Sequence, residues 1–374
     1  MNWMKDELEA LRGADAERGL RTSAAVAGYP GYTIRGGRRL LNLCSGDYLG
    51  LSQHPSIVEA MRNTLLAEGA GASRPRIETG NRPVYGELER ALAQWQGSEA
   101  ALVMASGYMA NVGVIRALVG RGDVVFSDRM NHASIVDGIM MSRADYARYR
   151  HNDIEHLRAL LDKYRDRPRK LIATDAVFSM DGDHARLAEL AALKRDYSAM
   201  LLVNEAHGGG VFGRRGEGLC HALGLEREAD VHIGTFSQAF GVYGAYVIGS
   251  GELIRYLVQT VRPLAYSAGL PSSIVAGNMK SLELVQEGHG RRKWLSAVSA
   301  KFRSRLAEAG FPIVEGASPI VSVVVGDNRT ALRFGEALEA EGIAAAAIRS
   351  PAVPEGTARI RFSLSAAHTA RELT

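Results

Sequence analysis

The sequence predicts an α/β fold, with a mostly parallel sheet covered by helices in a large domain and a small α+β domain at the C-terminal end. Two patterns and one bulk property carry this expectation. Short apolar runs at Ala101 to Met104, Val124 to Ser127, Leu171 to Thr174, Met200 to Val203, Val231 to Gly234 and Ala245 to Ile248 alternate with stretches of helical period. Such alternation is the mark of parallel strands joined by crossover helices. The tail alternates again, from Ile320 to Val325, through a helical stretch near Thr330 to Glu341, to Ile343 to Ile348 and Ala358 to Leu364. With 374 residues, 46% hydrophobic and 23% charged, the chain can bury one large core and a second, smaller one. The expected boundaries are an N-terminal helix with short strands over 1–42, the large domain over 43–275 and the small domain over 276–374.

Taken in order, Met1 to Arg21 reads as an amphipathic helix with Trp3, Leu8, Leu11 and Leu20 as its apolar contacts. Asn204, Glu205 and His207 directly follow the run Met200 to Val203, and Ser237 follows Val231 to Gly234. In parallel sheets ligands sit beyond the carboxyl ends of the strands, so these polar residues lie where a site is expected.

Several function classes find no support. No apolar stretch is long enough to span a bilayer, and Met1 to Gly19 is too charged for a signal peptide, so a cytoplasmic protein without membrane partners is expected. Cys44 and Cys220 form neither a disulfide framework nor a metal-ligand spacing. A net charge of +4 spread along the chain does not imply nucleic acid, although it suits an anionic thioester carrier. The run Gly208 to Gly213 satisfies GxGxxG but lacks the strand, tight turn and helix of a nucleotide site, and reads as a backbone-rich turn. There is no GxSxG elbow, HExxH or P-loop, and no metal site is expected.

Six motifs occur along the chain: Cys44 to Leu51 (CSGDYLGL), Gly69 to Arg76 (GAGASRPR), Gly107-Tyr108 with Asn111, Asn131 to Ser134 with Asp137-Gly138, Thr174 to Asp183 (TDAVFSMDGD), and Arg359 to Arg361 leading to Leu364 to Thr369. Between the fifth and sixth come Val203-Asn204-Glu205-Ala206-His207 and Thr235-Phe236-Ser237-Gln238-Ala239-Phe240-Gly241. In this order they resemble the α-oxoamine synthases, fold-type I enzymes that use pyridoxal phosphate (PLP) to condense an acyl thioester with an amino acid. The resemblance implies a fold-type I PLP-transferase-like architecture and a homodimer. It places His132 on the cofactor ring, Ser179 and His207 near the ring hydroxyl, Gly107, Tyr108, Thr235 and Ser237 in the phosphate cup, and Arg361 on the amino-acid carboxylate. A guanidinium fork suits that last contact. Relatives usually continue past His368 with another helix, so a truncated end is implied.

The departures are as informative as the matches. Gln238 stands at the position of the family's PLP lysine, and Asn204 at that of the aspartate facing the pyridine nitrogen. An amide nitrogen is neither nucleophilic nor basic, and a neutral amide adds no negative charge to raise the ring nitrogen's pKa. Gly46, Tyr85 and Ala268 also depart from the asparagine, histidine and hydroxyl residue common there. The expectation is therefore that no PLP is bound covalently, the cofactor being absent or held non-covalently. The function expected is acyl transfer from a coenzyme A or carrier-protein thioester to an amino-group acceptor without a PLP imine. His207, His132 and Ser179 are its catalytic candidates, with His207 as base and Ser179, Asn204 or Gln238 steadying the oxyanion. Two alternatives stand beside it: a silent subunit paired with a lysine-bearing paralogue, and an inactivated variant of a decarboxylating condensing enzyme.

Overall fold

The computed structural model describes residues 2–373, which fall into two compact units. The smaller comprises Met1–Gln53, Ser179–Asp183 and Lys293–Thr374; the larger comprises His54–Phe178 and His184–Arg292. In chain order the smaller unit supplies α1 (Trp3–Gly13), β1 (Ala24–Ala25), β2 (Tyr32–Arg35) and β3 (Arg38–Asn42). The larger then supplies α2 (Pro55–Glu68), α3 (Pro83–Gln96), β4 (Ala100–Met104), α4 (Gly107–Leu118), β5 (Val124–Asp128), α5 (Ala133–Ser142) and β6 (Asp145–Tyr149). It continues with β7 (Lys170–Asp175), β8 (Met200–Asn204), β9 (Val231–Thr235) and β10 (Ala245–Gly249), and the smaller unit closes with β11 (Ile320–Gly326), β12 (Ile343–Ala344), β13 (Ala346–Ile348) and β14 (Ala358–Ser363).

The larger unit is built on a seven-stranded sheet in the order β4-β10-β9-β8-β7-β5-β6. All neighbours pair in parallel except β10, which is antiparallel to both β4 and β9. Its strands read as continuous apolar runs because both faces are covered. Along each strand successive side chains point to opposite faces. Val125, Leu171 and Leu202 accordingly pack into one core with Ile115 and Leu257, while Phe126, Ile172 and Leu201 join a second core with Leu157 and Leu190. The strands end in polar residues: Asp175 on β7, Asn204 on β8 and Thr235 on β9.

The six expected strands of the large domain are all present, each within a residue of its apolar run. β6 was not legible, since Asp-Tyr-Ala-Arg-Tyr carries two charges in five residues. In the smaller unit Ile343 to Ile348 is two strands: β12 pairs in parallel with β3, and β13 pairs antiparallel with β14. That parallel pairing puts the N-terminal strands in one unit with the tail, a division that differs from the boundaries expected at 42/43 and 275/276. The short segment Ser179–Asp183 belongs there too, because Ser318 Oγ donates to Gly182 O at 2.7 Å, Ser322 Oγ to Met180 O at 2.6 Å, and Arg359 pairs with Asp181.

The N-terminal helix is shorter than expected and covers nothing. It ends at Gly13, where Asp15 takes a left-handed φ of 51° and Ala16 N turns back to Leu11 O, and Met1 lies outside the described residues. Trp3, Leu8, Leu11 and Leu20 are exposed, so the amphipathic pattern does not mark a buried face in this chain. Among the described residues no helix is long and apolar enough to cross a membrane.

Candidate functional site

In the larger unit the carboxyl ends of β7, β8 and β9 bring a compact polar cluster together. Asp175 is buried, and its two carboxylate oxygens accept from Asn204 Nδ2 and from the His132 backbone N, each at 2.7 Å. Its own N donates to Asn131 Oδ1 at 3.0 Å, and Asn131 Nδ2 donates to Ser127 Oγ and Ala173 O. Burial outweighs these donors and pushes the Asp175 carboxyl up to about 7. Asn204 is buried as well, and its Oδ1 accepts from Ala206 N at 3.1 Å. A backbone N–H can only donate, so the Ala206 contact fixes the Asn204 amide with its oxygen toward residue 206 and its NH2 toward Asp175.

His132 caps α5, where its Nδ1 accepts from Ser134 N at 3.2 Å. That bond puts the neutral ring's proton on Nε2. Burial holds the imidazole below its ordinary pKa, so it is neutral near pH 7. Ser134 Oγ in turn accepts from Asn111 Nδ2 at 2.9 Å, so the Asn111, Asn131 and Ser134 of the sequence motifs serve to position this ring and the Asp175 carboxylate.

The start of α4 approaches the end of β9 closely. A Cβ at Gly107 would lie 2.5 Å from Thr235 Cγ2, so only glycine fits, and the first N–H groups of a long helix are presented beside two hydroxyls. Those hydroxyls are engaged: Thr235 Oγ1 and Ser237 Oγ both donate to Gln238 Oε1. Tyr108 is half exposed, and its hydroxyl bonds the Asp137 carboxylate. His207 is half buried in the turn after β8, a turn pinned by buried Glu205, which accepts from Leu219 N at 3.0 Å and Cys220 N at 2.8 Å. Gly210 and Gly213 in that turn have φ of 82° and 88°, and no helix starts within 208–213, which disposes of a dinucleotide reading.

The smaller unit holds the remaining expected residues. Arg361 on β14 donates from Nη1 to Ser179 O at 3.0 Å, while its buried Nε has no partner among the described residues. It lines a cavity of about 560 Å³ with Arg18, Arg21, Arg35 and Arg349. Arg21 and Arg35 share Glu339 at 3.3 and 2.9 Å, and Arg349 Nη2 donates to Glu17 O at 3.2 Å. Sequence reasoning missed these four arginines because they are scattered through the chain, and it missed Asp175 although an acid ending an apolar run was visible. Among the described residues no group of acids, histidines and cysteines could hold a metal.

The fit to PLP is divided. The close approach of Gly107 to Thr235, the His132 ring and the buried Asn204 amide form a seat of the right chemistry for a phosphate and an aromatic ring. Residue 238 presents an amide where an amine would be needed for an imine to the chain.

A family model described as aminotransferase class I and II matches residues 38–374. A putative 8-amino-7-oxononanoate synthase of Geobacillus kaustophilus is 51% identical over 341 residues, covering 91% of this chain and 87% of that protein. The 8-amino-7-oxononanoate synthase of Anaeromyxobacter dehalogenans is 48% identical and covers 100% of this chain and 93% of its own. Among solved structures, a lysine-to-alanine variant of serine palmitoyltransferase from S. paucimobilis with a bound PLP–myriocin aldimine superimposes with a TM-score of 0.94 at 32% identity, covering 100% of this chain and 94% of that one. A serine palmitoyltransferase structure with PLP as the internal aldimine gives the same values. These relatives overturn the expectation that PLP is absent or held only non-covalently. The similar fold holds PLP in covalent linkage, and in the variant that linkage is to myriocin.

Proposed function

The chain belongs to the α-oxoamine synthases of the aminotransferase class I and II family, and from that premise we propose that it moves an acyl group from a thioester bearing a distal carboxylate onto a small amino acid. The transferase character is that of the family, and the two substrates are inferred from this chain. The observation that carries them is the arginine-lined cavity of the smaller unit, where Arg361 keeps a buried N–H without a partner. A buried donor left unpaired costs free energy, which a carboxylate in bidentate contact would recover.

The relatives' product supports the choice of donor. In 8-amino-7-oxononanoate the ketone carbon C7 comes from an acyl group whose other end is a carboxylate, and C8 carries the acceptor's amine. A seven-carbon acyl thioester, on coenzyme A or on a carrier protein, and alanine would supply those atoms. The reaction forms one C–C bond, releases the carrier thiol and loses the acceptor's carboxylate as carbon dioxide.

Within the chain, Arg361 orients a carboxylate by its fork of donors. His132, Asn204, Thr235, Ser237 and the start of α4 at Gly107-Tyr108 would hold PLP. When bound, that cofactor supplies an electron sink for negative charge at the acceptor's α-carbon. Gln238 cannot take up a proton there, so proton transfer falls to an imidazole, and His207 in the turn after β8 is assigned that role.

Product mass tests the reading. The chain reconstituted with PLP is incubated with seven-carbon dicarboxylate monothioesters and small amino acids. A product with the mass of the free dicarboxylic acid plus the amino acid, minus water and carbon dioxide, is expected. A product that retains the carboxylate would show transfer to nitrogen instead, the outcome that the two amides at 204 and 238 would favour. No product, or equal turnover with a monocarboxylate acyl chain, would overturn the proposal.

A further inference from the structure

A second arginine-lined cavity lies on the larger unit, where α4, α5 and the helix Gly251–Thr260 all end. Its volume is about 750 Å³, and Arg116, Arg121, Arg143 and Arg262 line it together with Tyr256 and Tyr266, with no Asp or Glu in the lining. Among the described residues none of these four guanidinium groups makes a hydrogen bond or ion pair to the chain. Arg262 lies over the Tyr266 ring, 4.8 Å from its centroid. Other cations of the same unit are matched: Arg169 pairs with Asp123 at 2.9 Å and Lys194 with Asp230 at 2.8 Å.

Arginines at helix C-termini often serve only to satisfy the last carbonyls. Here other groups do that work. Tyr256 OH donates to Ala117 O at 2.9 Å, Arg169 Nη1 to Leu118 O at 3.1 Å, and Thr260 Oγ1 to Tyr256 O at 2.8 Å. Four unneutralised cations around one opening repel one another, and a multiply charged anion between them reverses the sign of that interaction. Guanidinium forks match phosphate oxygens in pairs, and the exposed Tyr266 ring offers a face on which a flat base can stack.

We propose that this cavity binds a nucleotide carrying more than one phosphate, with the phosphates on Arg116, Arg121, Arg143 and Arg262 and the base against Tyr266. The ligand is either a free nucleotide or the nucleotide end of the thioester carrier, which share this chemistry. The site involves none of the residues assigned to PLP or to acyl transfer, so it stands whether or not that reading holds.

The test is calorimetric titration of the full chain with adenosine 3′,5′-bisphosphate, without any substrate. Saturable binding that weakens steeply with salt is expected, with at least a tenfold loss of affinity in the double variant Arg121→Gln, Arg143→Gln. Both positions are exposed, and an unchanged thermal midpoint would show that the variant is folded. Inorganic phosphate alone should bind more weakly than the bisphosphate. Competition between the bisphosphate and a coenzyme A thioester for the site would identify the carrier as the source, and binding without competition would identify a free nucleotide. Absence of saturable binding to the parent chain, or the same affinity in the folded double variant, would overturn the proposal.

Discussion

Replacing Asp175 with Asn should remove a pH dependence that is otherwise built into the larger unit. In the unfolded chain an aspartate titrates near 3.9, whereas in the fold burial holds the Asp175 carboxyl up to about 7. Between these values the folded chain binds more protons than the unfolded one, so stability falls as pH rises through the window and is fully present only below about 4. The whole cost is about 4 kcal/mol, at about 1.4 kcal/mol per unit, and some 2–3 kcal/mol of it (roughly) develops between pH 5 and 8. The Asn variant carries a constant penalty instead. One of its oxygens becomes an NH2 that faces the His132 N–H or the Asn204 NH2, leaving a buried donor unmet for about 1–3 kcal/mol. His132, whose lowered pKa gives the opposite slope, is present in both proteins and cancels in the difference. Urea unfolding of parent and variant at pH 5 and at pH 8 measures the change. The variant should be the less stable protein at pH 5 and should gain about 2–3 kcal/mol on the parent by pH 8. Parallel behaviour within about 0.5 kcal/mol would show that Asp175 ionises in the fold as it does in the open chain, and would refute the electrostatic account of this cluster.

Three other outcomes follow from the same geometry. Gln238→Lys frees Thr235 Oγ1 and Ser237 Oγ from the amide carbonyl and adds an amine, so borohydride treatment with PLP should fix a cofactor adduct on residue 238, read by peptide mass; an unmodified Lys-bearing peptide would mean that the seat does not take the cofactor. Arg361→Ala should raise KM for the amino acid about 10- to 100-fold, the worth of a charged hydrogen-bonded contact, with a smaller effect on kcat, and an unaltered KM would remove Arg361 from carboxylate binding. Gly107→Ala inserts a methyl 2.5 Å from Thr235 Cγ2, which should cost about 1–3 kcal/mol in a well-packed contact and lower the thermal midpoint; an unshifted midpoint would show that α4 can withdraw from β9.

What was legible in the sequence is what local chemistry specifies. Six strands could be read because a strand buried on both faces is mostly apolar, as in Leu171 to Ala173 and Leu201 to Val203. β6 and the exposure of α1 were not legible, for opposite reasons. Asp145 to Tyr149 is a strand by its pairing with β5 despite its charges, and the apolar stripe of Trp3, Leu8 and Leu11 is real as a pattern yet faces no core in this chain. Pattern reports what a segment is able to bury, whereas pairing and packing decide what it does bury.

The site shows the same limit one level up. Gln238 and Asn204 were conspicuous as residue types, and from type alone the loss of an amine and of a charge pointed away from PLP. Type says nothing about what stands behind a residue. Asn204 is backed by Asp175, its register partner on β7, so a carboxyl that gains its charge as pH rises through about 7 stands one strand away, joined to the Asn204 amide by a 2.7 Å hydrogen bond. A polarised amide held with its oxygen away from a carboxylate is a stronger acceptor than a free one, and hydrogen-bonded chains of this kind reinforce each other. The pair Asp175–Asn204 therefore retains part of what an aspartate at 204 would supply, while Gln238, bonded to Thr235 and Ser237, retains nothing of a lysine's basicity. The two substitutions that look equivalent in the sequence are unequal in the fold: the first leaves the Asp175 carboxyl one residue layer behind the amide, and the second removes the base altogether.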